Sequence, residues 1–536
     1  MMKKILLLSL AASSLLATNG VNMIGTGTVS RSMGGTGVAH FSDGAGALSK
    51  NVALIADVKA SEVHFDITYF SASVSNSAVD NMFLNTSAAN PIYPTTYSPD
   101  GTSENHLDTN FIPSMSYVSK INDKWSWGIS AGGVAGLVVD YNGEPNNAQR
   151  RMKSGMMLMK IIPAVSYRVD NITFGFAPVL GLGSMSINYD EAQTDINNNR
   201  DQSQSVHGGG SGTGLFGTNI GGPSLVPALG WEAGLDIKVT EKLRIGATYQ
   251  SSLKFDYKEV ANFSQFGPHG MVNMTNDFTG GALAQLDPKT LNNDAQVVQA
   301  IKNAGSTLGI NITDQEAQAI TQLMPLGTIG DSLEATNPNN LDDLTMEQPW
   351  EIAIGFGYEL TDQVTITGDY RYVTWGLAEG YKDFGWENQS VYAMGFEFRP
   401  TKEFRFRGGY NYADSPLKNV SGELGALMTD VQGTLVFDQA ISMLGMVGFP
   451  AIATTHFTLG AGYDFTENLT VDGAFMYSPE TEASRSGALL PGASALVGSQ
   501  LPGYISGITI PALDMSYEYK TKMQQMTLSL GVNYKF

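Results

Sequence analysis

Apolar and polar residues alternate with a period of two through most of the chain, the spacing of strands that bury one face. Over Leu243–Tyr257 one face carries Leu243, Ile245, Ala247, Tyr249, Leu253, Phe255 and Tyr257. The other carries Arg244, Thr248, Gln250, Ser252, Lys254 and Asp256. The rhythm returns at Val364, Ile366, Tyr370 and Tyr372 against Thr365, Thr367, Asp369 and Arg371. It returns at Phe404, Phe406, Tyr410 and Tyr412 against Arg405, Arg407 and Asn411, and at the C-terminus, where Met526, Leu528, Leu530, Val532, Tyr534 and Phe536 oppose Thr527, Ser529, Asn533 and Lys535.

A soluble sandwich alternates too, so the connections decide. Very short ones at Asn122-Asp123, Asp170-Asn171, Thr240-Glu241, Thr361–Gln363, Thr401-Lys402 and Thr466–Asn468 take turns with long ones, such as Ser75–His106, Asp190–Leu225, Glu259–Thr345 and Pro479–Leu513. Transmembrane barrels sort their loops this way, with tight periplasmic turns and long extracellular connections. The segments number about fourteen, an even count that puts both chain ends on the periplasmic side. The predicted fold is all-β: a fourteen-stranded antiparallel transmembrane barrel spanning 61–536. Trp125, Trp127, Tyr257, Tyr372, Trp375, Trp386 and Tyr534 fall near predicted strand ends, where interfacial girdles form.

Composition supports that reading. Charged residues make up 15% and hydrophobic residues 42% of the 536 residues. Beyond the N-terminus no apolar run approaches the ~20 residues of a spanning helix. Residues 1–17 have the parts of a signal peptide: Lys3 and Lys4, the apolar core Ile5–Leu16, and Ala17 before the cleavage point. Export to the outer membrane of a Gram-negative-type bacterium follows. Without a cysteine, stability must come from the sheet. The net charge of −20 argues against nucleic acid.

Two features do not belong to the sheet. Residues 18–60 include the glycine-rich Gly20–Asp57, which is too irregular for a strand and is expected to form a plug, or hatch, inside the barrel. Several long connections are unexpectedly apolar. The longest, 259–345, is expected to be partly helical, with Leu291, Val298 and Ile301 on one helix and Ile320, Leu323 and Met324 on another. With Met443, Leu444 and Phe449 these residues would either pack on one another as a compact cap over the barrel or line a groove that captures hydrophobic molecules, since exposed apolar patches mark binding surfaces, and a cap with a cleft satisfies both.

The block GTGTVSRSMGGTGVAHFSDGAGALSKNVAL, followed in order by Gly230–Tyr257, Pro349–Trp375, Phe406–Leu417 and the ending LGVNYKF, resembles the FadL family of outer-membrane transporters for long-chain fatty acids and other hydrophobic compounds. The resemblance implies capture by extracellular loops, a lumenal pocket beside the hatch, and lateral release where a kink in the third strand breaks the wall. The matching strand here is Lys124–Asp140, with Gly132, Gly133 and Gly136 suited to a kink. The family's Asn-Pro-Ala hatch motif reads Asn51-Val52-Ala53, without its proline. The part of the fifth strand where fatty-acid members place a base, Ser186–Tyr189, has none. Lys254, Arg371, Arg405 and Arg407 face the predicted lumen among acidic residues, so internal ion pairing is expected and the substrate could be an uncharged hydrocarbon.

Other classes fit less well. The six histidines are scattered outside any metal or nucleophile motif, and the hatch glycines lack dinucleotide spacing. No enzyme activity, cofactor or metal is therefore expected. A general diffusion porin needs no plug, and an adhesin barrel leaves the hatch unexplained. The chain reads as a passive channel, monomeric, whose partners are a hydrophobic small molecule and the outer-membrane lipids.

Overall fold

The computed structural model describes residues 19–80, 101–105, 109–141, 152–189, 218–261, 299, 302, 313–314, 342–382, 385–417, 446–488 and 516–536. Its strands form one antiparallel sheet closed on itself, the first pairing with the last from Glu62↔Lys535 to Asp80↔Tyr517. Fourteen strands complete the circuit. They are β1 (Ser61–Asp80), β2 (Gly101–Glu104 and Thr109–Lys120), β3 (Trp125–Asp140), β4 (Met152–Val169), β5 (Ile172–Tyr189), β6 (Thr218–Lys238) and β7 (Leu243–Gln250 and Leu253–Ala261). The remainder are β8 (Asp342–Gln348 and Glu351–Thr361), β9 (Val364–Val373), β10 (Gln389–Phe398), β11 (Phe404–Ala413), β12 (Thr455–Asp464), β13 (Leu469–Ala488) and β14 (Ser516–Lys535).

The alternation runs inside out. Along β1, Val63, Phe65 and Ile67 are 39–47% exposed, while Glu62, His64, Asp66 and Thr68 are at 2% or less. Lipid outside and protein inside require that arrangement. The short turns share one chemistry. Thr240, Thr361, Thr401 and Thr466 each accept, through the hydroxyl oxygen, the backbone N–H groups two and three residues on, at 2.9–3.3 Å. Asn122 does the same through its side-chain carbonyl. Such side chains mimic a backbone turn. Asp170 takes φ 52° in the two-residue link between β4 and β5, as a primed hairpin turn demands.

Residues 19–60 lie inside the ring. They contain α1 (Thr28–Ser32), α2 (Gly44–Lys50) and a 3-10 turn, Val52–Asp57. Asp43 caps α2 by accepting from the Gly46 N–H at 2.6 Å. The wall makes room with inward glycines: a Cβ at Gly175, Gly234, Gly246 or Gly409 would overlap hatch atoms. Hatch main chain and barrel wall therefore meet directly at several strands.

Two expectations are corrected. Trp125, Trp127 and Tyr534 are exposed near the short-turn rim, but Tyr257, Trp375 and Trp386 are buried among lumenal apolar residues. Leu243–Tyr257 is not one strand with one apolar face. It breaks at Ser251-Ser252, where the Ser251 hydroxyl accepts from the Trp231 N–H at 2.8 Å. Below the break Ile245 is 45% exposed on the lipid side; above it Leu253, Phe255 and Tyr257 are buried.

Candidate functional site

Three sets of bonds seat the hatch. On the β1 side, buried Arg31 donates from Nη1 to Asp66 Oδ1 at 3.0 Å, to the Thr68 hydroxyl, and to Ser529 Oγ at 3.4 Å. Asp66 also meets His64 Nε2 at 3.3 Å. Under β4–β7, Asp57 lies among Arg168, Arg244 and Lys238. Burial by itself would raise the Asp57 pKa, but the Arg244 and Arg168 guanidiniums outweigh it and hold the group below the usual carboxylate range. On β9, Asp369 Oδ2 accepts from the N–H groups of Gly37 at 2.8 Å and Val38 at 3.1 Å.

The hatch motif joins this frame without a proline. Asn51 Oδ1 accepts from the Ala53 N–H at 3.0 Å, closing an Asx turn, while Nδ2 donates to the carbonyls of Val38 at 2.7 Å and Leu235 at 2.9 Å. Val52 and Ala53 are buried and open the 3-10 turn. Asn51 thus ties two hatch segments to β6, and the Val52 side chain needs no φ-locking ring to do it.

The wall is broken beside the N-terminal end of the hatch. The β2–β3 ladder runs from Lys120↔Ser126 to Ser114↔Gly132 and stops, although β3 continues to Asp140. At Gly132 a Cβ would come within 2.6 Å of the Ser114 Cβ. On the other side of β3 the register against β4 slips between Gly133 and Ala135, a bulge that re-aims the strand. The edge so released is taken by the hatch. Asn22 faces Ala135, Met23 N–H donates to the Val134 carbonyl at 3.0 Å, and Gly136 N–H donates to the Val21 carbonyl at 2.9 Å. Gly132, Gly133 and Gly136 are therefore brought together at the break, with Gly136 bonded to the segment that covers it.

Above the hatch the lumen is apolar. Phe70, Leu137, Val139, Met156 and Leu158 from the wall pack with Phe255, Met346, Trp375, Tyr381 and Trp386. The rings of Trp375, Tyr381 and Trp386 lie 4.7–5.1 Å apart pairwise, and Tyr381 Oη donates to Met156 Sδ at 3.0 Å. Phe449, expected on a capture groove, is instead part of a segment dipping into this lumen, where Tyr141 Oη donates to the Val447 carbonyl at 3.1 Å and Ser415 Oγ to that of Ala451 at 2.9 Å. Trp375 also touches the hatch: a Cβ on Gly20, at φ 65°, would lie 2.9 Å from the indole.

Between hatch and wall is a polar cavity of about 40 Å³, lined by Asn22, Lys50, Val134, Lys160, Gln348 and Arg371 among others. It has room for a few waters, not for a hydrocarbon. Its charges are engaged. Lys160 Nζ meets Gln250 Oε1 at 2.8 Å and Glu232 at 3.4 Å, Lys50 Nζ donates to the Ile24 carbonyl at 3.0 Å, and Arg371 pairs with Glu351 at 3.7 Å. Burial, then the neighbouring Arg371, lowers the Lys50 pKa to about 7 against the pull of Glu351 and Asp369. The ion pairing expected of the other lumenal bases is present: Arg405 with Asp464, Arg407 with Glu397 and Asp472 at 2.6 and 2.7 Å, and Lys254 with Glu379 at 3.0 Å.

Leu291, Val298, Ile301, Ile320, Leu323, Met324, Met443 and Leu444 lie outside the described residues. In the two expected loop helices only Gln299, Lys302, Thr313 and Asp314 are described; Lys302 donates to Asp314 at 2.6 Å. The residues meeting at the break and the hatch end that periodicity did not single out are Val21–Met23 and Trp375. Their signal lay in the glycines beside them, Gly20 and Gly25, rather than in any alternation.

Residues 7–424 match the family described as outer membrane protein transport protein (OMPP1/FadL/TodX). The long-chain fatty acid transport protein of Escherichia coli O6:H1 is 24% identical over 413 residues, 71% of this chain and 74% of that protein. The 47 kDa outer membrane protein of Pasteurella multocida is 22% identical over 249 residues, 46% of this chain; the match spans 42% of that relative's length. Among solved structures, a FadL homologue of Pseudomonas aeruginosa superposes with a TM-score of 0.57 at 13% identity, over 96% of this chain and 100% of that one. The toluene transporter TodX of Pseudomonas putida gives 0.52 at 14%, over 96% and 99%. At these identities the two structures attest the fold.

Proposed function

The chain belongs to the OMPP1/FadL/TodX family of outer-membrane transport proteins, and on that premise we propose that it is a passive channel for uptake of hydrophobic small molecules. A ligand captured by the apolar outer connections settles in the Met- and aromatic-lined lumen above the hatch, whose thioethers re-pack around varied shapes. It leaves sideways into the membrane at the β2–β3 break once Val21–Met23 has parted from β3. The observation that carries this reading is the double placement of the hatch N-terminus. Gly20 lies under Trp375 of the apolar lumen, and its neighbours Val21–Met23 hold the released edge of β3. A ligand pressing on the indole is thereby coupled to the segment covering the exit.

The engaged state of the lumenal bases favours an uncharged hydrocarbon over a carboxylate, which would have to draw a cation out of an existing pair. A diffusion porin is disfavoured because the hatch fills the ring down to its glycines. The test is uptake of radiolabelled toluene, hexadecane and palmitate by cells with and without the protein. Protein-dependent uptake of the hydrocarbons is expected, with palmitate slower. Equal uptake of all three in cells lacking it would sink the proposal, and a large steady ion conductance in planar bilayers would favour the porin.

A further inference from the structure

The wall has a second break, four strands round from the first. The β6–β7 ladder runs from Lys238↔Arg244 to Glu232↔Gln250, with Trp231 and Ser251 bonded just above, and ends there. Among the described residues only Ile220↔Ala261 joins the two strands again. From Gly221 to Gly230, β6 keeps its ladder to β5 alone. The upper pieces of β7 and β8 pair with each other, and β9 ends at Glu351↔Val373; above it the hairpin is bonded on its β8 side to the segment after β9, with Thr374 N–H donating to the Trp350 carbonyl at 3.3 Å and Glu347 N–H to the Glu379 carbonyl at 2.9 Å.

It has gone inward. Cβ atoms built on the inward Gly181 and Gly183 of β5 would reach Leu253 and Phe255 at 3.0 and 2.7 Å, so the hairpin crosses the inner face of β6 to touch the strand beyond. A Cβ on Gly230, at the foot of the break, would meet Leu253 at 2.7 Å. Outside, Leu229 on the free edge is 81% exposed. The slot is thus apolar from the lipid side (Leu229) through its filling (Leu253, Phe255) to the lumen cluster (Tyr257, Met346, Tyr381).

We propose that this β6–β7 seam is a second lateral passage, through which an uncharged apolar molecule crosses between the upper lumen and the membrane when the inner hairpin swings aside. The inference rests on the transport reading above, and adds a route that bypasses the hatch. A slot lined by Leu and Phe offers no compensation for a desolvated charge, so charged amphiphiles are excluded from it.

The chain has no cysteine, so introduced thiols report cleanly. Asn22 and Ala135 form a non-hydrogen-bonded antiparallel pair, the close spacing a disulfide accepts, and N22C/A135C staples the first exit reversibly. In the same protein L229C carries pyrene maleimide into the mouth of the second seam; L459C, 62% exposed on β12, is the labelled control. Uptake of radiolabelled toluene is measured in cells making each full-length variant, with a heat-modifiability gel shift to confirm folding. Two parallel routes of similar width predict a roughly twofold fall on stapling. Labelling at 229 then removes the remainder, labelling at 459 does not, and reductant restores the first exit. Loss of all uptake on stapling alone, reversed by reductant, would overturn the second passage, as would equal effects of label at 229 and 459. Unmodified protein giving no more uptake than cells lacking it would overturn the transport reading and this inference with it.

Discussion

Replacing Arg31 by methionine removes the one hatch cation that reaches the β1 wall in this corner. The guanidinium is 2% exposed and the Asp66 carboxylate fully buried, 3.0 Å apart. Breaking a buried pair by deleting one partner costs about 3–5 kcal/mol, because the survivor is left desolvated without compensation. Here the survivor retains His64 at 3.3 Å and the Ser114 hydroxyl, which places the loss at the lower end, about 3 kcal/mol. The complementary change, Asp66→Leu, leaves Arg31 with only hydroxyl partners and should cost about 3–5 kcal/mol. The double variant R31M/D66L buries no uncompensated pair charge. It still deprives His64 and Ser114 of an acceptor, worth about 1–3 kcal/mol.

The loss in the double variant should therefore be smaller than in Asp66→Leu alone, and fall short of the summed single losses by at least about 3 kcal/mol. Equilibrium unfolding of the full-length barrel in phospholipid vesicles supplies all four corners of the cycle. Planar-bilayer recordings add a readout of the hatch, with brief conducting events in Arg31→Met that subside in the double variant. Additivity within about 0.5 kcal/mol would show that Arg31 and Asp66 do not act as a pair, and the seating of α1 on β1 would need another cause.

Other perturbations test separate parts of the same frame. Leu528→Arg puts a charge on the lipid face between Tyr69 and Phe475 and should lower barrel stability by about 2–4 kcal/mol, read in the same unfolding assay. Gly234→Leu drives a side chain into Asn51 and Ala53, and should unseat the hatch, seen as raised ion conductance with the barrel still folded; unchanged conductance would mean that the hatch can yield. Lys50, with its pKa lowered by burial to about 7, binds fewer protons in the seated hatch than free in water between that pH and its ordinary 10.5. Seating should strengthen as pH rises through that window, measured by protease access to the hatch, and Lys50→Met should flatten the dependence.

Much of the barrel was legible because lipid imposes a strict rule on every second residue. Exposed Phe65 and Ile67 beside buried His64 and Asp66 can be written only one way. The short turns were legible for a similar reason: a threonine or asparagine that satisfies its own turn must stand at a fixed offset from the next strand. The hatch announced itself by glycine, although its missing proline suggested a looser motif than the three Asn51 bonds make. The upper lumen was less readable, since aromatic residues near a strand end serve equally at a lipid interface or in an apolar interior. Trp375 and Trp386 took the second place, packed at steep ring angles against Tyr381, and local sequence carries no mark of that choice.

β7 shows why the site itself escapes periodicity. Ile245 and Phe255 stand on one parity, and a continuous strand would put both against lipid. A break of two serines leaves the parity intact while moving the upper piece from the wall to the inside of β6, so the same face that meets lipid below meets the inner wall above. Alternation records which side of a strand is apolar, never which apolar medium lies there. At the first break the medium is the hatch, which lends backbone to the β3 edge; at the second it is the hairpin, which lends side chains. A main-chain seal opens only when hydrogen bonds are broken or exchanged, whereas the side-chain seal opens by rotamer changes and a swing that parts one main-chain bond, Glu347 N–H to the Glu379 carbonyl at 2.9 Å. The two breaks should therefore differ in how they respond to a ligand. On the proposed reading, the hatch edge should yield to something that displaces Trp375 from Gly20, and the hairpin to any apolar molecule that fills the place of Leu253 and Phe255.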